Sequence, residues 1–257
     1  MKVSKQVVFH IPHSSHSIPK KMRSQFLLTD EELENELIKM TDRYTEELFT
    51  SGFTCTKVCA KVSRLVVDVE RFTEDAEEPM SKVGMGAVYT KTSDQRVLRG
   101  IISARERQKL LKEYFFPHHH QLNKKVIQVI RKSNKVLIID GHSFSSIPLL
   151  YEPNKNVNRP DICIGTDSFH TPVSFTIAFV NAFREAGFSV KINEPYSGTI
   201  VPLEHYQKNP HVRSIMIEVN RKLYMNENNG EKLPEFDAFA EKIQGVILKV
   251  LETNKVE

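Results

Sequence analysis

The stretch "KVLIIDGHS", residues 135–143, sets four consecutive aliphatic side chains directly before an acid, a glycine and a histidine. An unbroken apolar run of that length, rich in β-branched residues, reads as a strand covered on both faces, which is how parallel strands sit between helical layers. Five further runs of this kind lie along the chain: "QVVFHIP" at 6–12, "RLVVDVE" at 64–70, "DICIGT" at 161–166, "FSVKIN" at 188–193 and "SIMIEVN" at 214–220. Segments with helical periodicity separate them. One opens at Thr29, where Glu32 gives the spacing of a capping box, and carries Leu33, Leu37 and Met40 on one face. A second begins near Ser103 and meets Pro117, which lacks an N–H and so kinks or restarts the helix. A last one starts around Pro234. The alternation predicts an α/β fold with a mixed, mostly parallel central sheet flanked by helices. The segment 73–100, with few apolar residues in register, reads as a long loop.

The 257 residues are 40% hydrophobic and 26% charged, an ordinary globular composition that predicts one domain spanning 1–257. The net charge of +4 is spread among acidic residues with no basic block, so no nucleic acid is expected as a partner and a small acidic substrate fits better. No segment approaches the ~18 apolar residues that a membrane span needs. The apolar run near the N-terminus is broken by Pro12 and is too short for a signal-peptide core. Three unevenly spaced cysteines, Cys55, Cys59 and Cys163, suit a reducing compartment, and the expected location is the cytoplasm.

Polar residues gather where the predicted strands end. The first run leads into His13; "RLVVDVE" ends at Asp68, Glu70 and Arg71; the opening stretch runs into His142 and Ser143; "SIMIE" ends at Glu218, with Asn220 and Arg221 beyond. In an open α/β sheet, ligands bind outside the carboxyl ends of the strands, where loops diverge and side chains converge. Two histidines, a carboxylate ligand and an open position are the usual recipe for catalytic zinc, with a further carboxylate as general base. Each residue has a plainer reading: His13 as a hydrogen-bonding turn residue, Asp68 as a turn cap. Asp140 and His142 directly after four buried aliphatics are harder to explain that way. His10 lies within the first strand and reads as structural. In "FFPHHHQLNKKVIQVI", His119 falls in the stripe of Leu122, Val126, Val129 and Ile130, so it faces inward, to core or to site.

In order along the chain, "IPHSSHSIP", "TDRYTEELF", "SRLVVDVERF", "GMGAVYT", "PHHHQL", "DGHS", "EPYSGTIVP" and "IEVNRKLYM" resemble the successive signature segments of the N-formylglutamate amidohydrolase family, from about Val7 to Met225. The resemblance implies a fold like that of the zinc carboxypeptidases and aspartoacylases, and a zinc enzyme that releases formate from N-formylglutamate in histidine breakdown. It implies one zinc ion per chain held by His13, Asp42 and His142, with Glu218 as the catalytic carboxylate. Arg71, helped by Arg64, would hold the carboxylate of a small acidic N-acyl amino acid, while His119 and Ser143 would orient the substrate or contact the oxyanion. Allied enzymes place a glutamate three residues after the first histidine; here that position is His16, the alternative third ligand. On one unbroken helix Asp42 would face solvent, about 160° from the apolar stripe, so it reaches a metal only if the helix breaks near Thr41. Glu70 stands where allied enzymes often have asparagine. Two alternatives stay open: a related N-acyl amino acid deacylase or carboxypeptidase-like hydrolase, and a non-catalytic metal- or small-molecule-binding homologue.

Overall fold

The run at 136–139 lies in the centre of a six-stranded sheet. In the computed structural model, which describes residues 5–253, the strands are β1 (Val7–Ile11), β2 (Thr56–Cys59), β3 (Val136–Phe144), β4 (Ile162–Gly165), β5 (Val190–Ile192) and β6 (Val212–Asn220). Their order is β2-β1-β3-β6-β4-β5. Strands β2, β1, β3 and β6 run parallel; β4 and β5 run parallel to each other and antiparallel to β6. The sheet is therefore mixed and mostly parallel, as the sequence predicts. The helices are α1 (Asp30–Met40), α2 (Thr45–Thr50), α3 (Ala104–Leu110), α4 (Phe116–Ser133), α5 (Val173–Glu185) and α6 (Phe236–Thr253). Among the described residues no helix is long and apolar enough to cross a membrane.

Period-two alternation divides the sheet between two cores. Phe9, Ile11, Leu137, Ile139, Ile215 and Ile217 join α2, α5 and α6 in one cluster; Val8, Val136, Ile138 and Val212 join Leu122, Val126 and Val129 of α4 in another. Gly141 lies where β3 meets α2. A Cβ there would stand 2.7 Å from both Ile11 Cδ1 and Phe49 Cδ2. Gly141→Ala is expected to cost about 1–3 kcal/mol by overpacking, read as a lower midpoint in urea unfolding.

Two predicted features differ from the structure. "RLVVDVE" is not a strand: the backbone turns, with the Val66 N–H donating to Ser63 O at 2.8 Å, and Leu65, Val66 and Val67 fill a third cluster with Leu33, Leu37, Met40 and Tyr89. A short apolar run looks the same in a buried turn as in a strand. The edge strand β2 takes its place beside β1. Before Pro117 the helix does not simply kink: residues 111–115 widen into a π-helical turn, after which α4 restarts with the proline in its first turn. A proline ring clashes with the carbonyl four residues back in a regular helix, and the wider turn relieves this.

Helix α1 opens with the predicted Thr29–Glu32 capping box and ends at Met40, with Thr41 extended as C-cap. Tyr44 then takes φ 66° and starts α2. Glu36 of α1 is buried and accepts from both the N–H and the hydroxyl of Ser93, which ties α1 to the long loop. Burial pushes its carboxyl above the ordinary 4.5 in spite of the Ser93 bonds. A raised folded value means that the folded state holds the proton longer, so this stability is present below pH 4.5 and is lost as pH rises through the folded value. The unfolding free energy of Glu36→Gln should gain on wild type as pH climbs from 4.5, in parallel chemical denaturation series.

Candidate metal and active site

Parallel pairing places His10 opposite Asp140 on β1 and β3, and His142 opposite Glu218 on β3 and β6. Because side chains alternate, Ile138, Asp140 and His142 point the same way. The face that is aliphatic under α4 thus turns polar at the carboxyl end of the strands, and all four of these residues are buried. His13 follows β1 directly, and its carbonyl accepts from the Asp42 N–H at 3.0 Å. The break after Met40 therefore delivers Asp42 to the site; it is 2% exposed.

His142 lies at the centre. Its Nδ1 is 3.3 Å from Asp42 Oδ2, and its Nε2 is 3.0 Å from Asp140 Oδ1 and 3.3 Å from Glu70 Oε2. His13 donates from Nε2 to Asp68 Oδ1 at 2.9 Å. Its Nδ1 is buried without a hydrogen-bond partner, 3.7 Å from Glu70 Oε2 and 3.8 Å from Asp42 Oδ2. Ligand atoms of His13, Glu70 and His142 lie within 4.8 Å of one another. This donor set fits a divalent metal: a buried imidazole nitrogen without a partner, a second imidazole, and carboxylates within reach of both. Asp42 is pinned beside it, with Oδ1 accepting from Arg221 Nη2 at 2.7 Å and Oδ2 from the Ser143 N–H at 3.1 Å.

The surrounding charges set the protonation of the cluster. Burial opposes ionisation of Asp42, but His142, Arg221 and His13 outweigh it and hold the carboxyl below its ordinary range. Asp68 is held low against burial by Arg64 and His13, and Asp140 by His142 and His10. Burial works against a charged His142, yet Glu70, Asp140 and Asp42 raise it well above the usual imidazole value. Glu218 is pushed up to about 8, by burial first and then by the charges of Asp42 and Glu70, against the pull of His142 and Arg221. Its Oε2 is buried with no partner. A carboxyl poised near neutrality is what proton transfer requires.

The other sequence-derived candidates fall as follows. Arg64 gives Nε and Nη2 to Asp68 Oδ2 and also donates to the Tyr89 hydroxyl, so it holds Asp68 rather than reaching outward. Arg71 is a quarter exposed, 3.6 Å from Asp68 and 3.8 Å from Glu78, and its Nε has no partner. Ser143 Oγ accepts from Arg221 Nε at 3.1 Å. The helix turns His118, not His119, into the interior: His118 is buried with Nε2 at 2.8 Å from His10 Nε2, while the half-buried His119 bonds the Val69 carbonyl at 2.7 Å. The buried stripe of α4 is His118, Leu122, Val126 and Val129, with Ile130 only partly buried, which shifts its centre from His119 towards His118. His16 is exposed and outside the cluster. In the sequence Glu70, Asp140 and Arg221 stand out as polar residues at strand ends but without a role in the cluster, and His10 reads as structural. Period two marks Asp140 and His142 as sharing a face, but the partner across the strand depends on register.

Residues 5–225 match the family model of N-formylglutamate amidohydrolase. The crystal structure of the N-formylglutamate amidohydrolase from Ralstonia eutropha JMP134 is similar, with a TM-score of 0.80 over 96% of this chain and 93% of that one, at 18% identity. A gene product of Agrobacterium tumefaciens gives a TM-score of 0.72 over 98% of this chain and 92% of that one, at 21% identity. No curated protein sequence matches the chain. The two structures share the fold, and the family match extends over most of the sequence, from before β1 to just past β6. The chain therefore belongs to the N-formylglutamate amidohydrolase family and is an amidohydrolase.

Proposed function

We propose that this amidohydrolase cleaves the formamide bond of N-formyl-L-glutamate, giving formate and glutamate, and that it does so with zinc held by His13 and His142 together with the carboxylates Glu70 and Asp42. One observation carries the reading: two buried atoms without partners, His13 Nδ1 and Glu218 Oε2, belong to the same cluster. Unpaired polar atoms at such depth are costly, and a metal and a reacting water would satisfy both.

Zinc bound there supplies a Lewis acid for the formyl carbonyl and lowers the pKa of its water towards neutrality. Glu218, beside His142 in the next strand, takes the proton of the attacking water and returns it to the leaving amine. Arg71, whose guanidinium is a quarter exposed and lies 3.6 Å or more from Asp68 and Glu78, holds a substrate carboxylate and so fixes the formyl carbon at the cluster. Asp68 fixes the tautomer of His13 by accepting its Nε2–H, leaving Nδ1 free for the metal. Asp68→Asn should weaken zinc binding about 10–100-fold, measured by competition with a chromophoric chelator.

A second reading is favoured by Glu70, whose negative charge precedes Arg71 and faces the histidines: an N-acyl amino acid deacylase with a different side-chain preference. Purified zinc-loaded protein tested on N-formylglutamate beside N-formyl, N-acetyl and N-succinyl derivatives of other amino acids separates the two. Formate release from N-formylglutamate at the highest kcat/KM supports the first; no turnover of it, beside clear turnover of another compound, overturns it.

A further inference from the structure

A second set of ligand atoms stands beside the first. His10, Glu70 and Asp140 offer atoms within 4.8 Å of one another. His10 Nδ1 is 2.8 Å from Asp140 Oδ1 and 3.6 Å from Glu70 Oε1. The Glu70 oxygen that faces His13 and His142 is the other one, Oε2. One carboxylate thus turns one oxygen to each set. Metal–ligand distances of about 2.0–2.2 Å allow two ligands of one ion to stand up to roughly 4.4 Å apart; both His10 spacings lie within that limit, the shorter of them being a hydrogen bond in the metal-free cluster.

The charge inventory gives an independent reason. Asp68 is paired with Arg64 and Arg71, and Asp42 with Arg221. Among the described residues, the ion-pair partners of Asp140 and Glu70 are all histidines, and Asp140 Oδ2 also accepts from the Ile200 N–H at 3.0 Å. Asp140 is 1% exposed and has no arginine or lysine beside it, so a divalent ion would add to the compensation that His10 and His142 provide. The His10 ring is also held as a ligand would be: its far nitrogen, Nε2, is 2.8 Å from His118 Nε2, which leaves Nδ1 directed at the two carboxylates.

We propose that the chain binds two divalent cations, the second held by His10, Asp140 and Glu70, with Glu70 bridging the pair. This rests on the reading of the first metal given above. One imidazole with two carboxylates is a harder donor set than one with two imidazoles, and zinc, cobalt and manganese suit it.

The test is metal stoichiometry. Chelator-stripped protein is dialysed against excess Zn²⁺, freed of loose metal by gel filtration and analysed for zinc per chain by mass spectrometry. Two equivalents in wild type and one in His10→Gln are expected. One equivalent in wild type overturns the second site and leaves the first; none overturns both. Two equivalents in both proteins overturn the placement at His10. Wild-type protein titrated with Co²⁺ gives a readout that does not depend on a variant folding. Absorption breaking at two equivalents, with spin coupling of the two ions in the paramagnetic resonance spectrum, is expected; a break at one equivalent overturns the proposal.

Discussion

Glu218→Gln is expected to lower kcat by about 10²–10⁴-fold, the range that positioned acid–base groups contribute, while zinc content and unfolding midpoint stay close to wild type. Glutamine keeps the shape of the side chain and cannot take a proton. The side chain is buried with one oxygen unpartnered, so replacing it with a neutral amide removes no hydrogen bond at Oε2. It also resembles the neutral form of the carboxyl, which burial and the charges of Asp42 and Glu70 favour by pushing it up to about 8. A variant that keeps its zinc and loses turnover supports Glu218 as the proton carrier. Retained turnover would move that role elsewhere. If wild-type protein also turns over nothing while holding zinc, the non-catalytic binding alternative gains ground.

His142→Ala is expected to empty the zinc site it shares with His13 and to abolish activity, with the fall in zinc per chain measured beside formate release. His142 touches Asp42, Asp140 and Glu70, and the charges of those three acids are what hold positive charge on it. Without the ring, the acids face one another with less compensation, and breaking such a buried network by removing one partner costs about 3–5 kcal/mol. A lower thermal midpoint should therefore accompany the loss of metal. His13→Ala should also lose zinc but with a smaller stability cost, because Asp68 keeps Arg64 as a partner. Full zinc retention in both variants would overturn the metal reading.

Much of the fold was legible because aliphatic runs and capping chemistry are local signals. The run at 136–139 and the Thr29–Glu32 box formed the expected elements. The "RLVV" run misled because its length and composition suit either a strand or a buried turn, and only contacts with α1 and Tyr89 decide between them. At the site, His13, His142 and Glu218 stood out as polar residues at strand ends, and the structure brings them into one cluster. Asp42 carried a conditional reading, and the helix does end at Met40. Glu70 was legible as a charge beside Arg71, yet its direction was not, since a turn rather than a strand carries it. The His10–Asp140 contact depends on the register between β1 and β3, and a single sequence does not encode that register in any local pattern.

The parallel pairing of β1, β3 and β6 also bears on how the protein is made. Residues 10 and 13 leave the ribosome early, whereas their neighbours at 140, 142 and 218 follow much later, and no short segment contains a pair from β1 and β3. Long-range closure of this kind is slow, because chain entropy is lost before the contacts form. The nascent chain thus has no complete ligand set until β3 docks against β1, and Glu218 joins only when β6 docks in turn. On the proposed metal reading, capture would then be a late event in biogenesis, and the emerging histidines would not be committed to whichever ion they meet first.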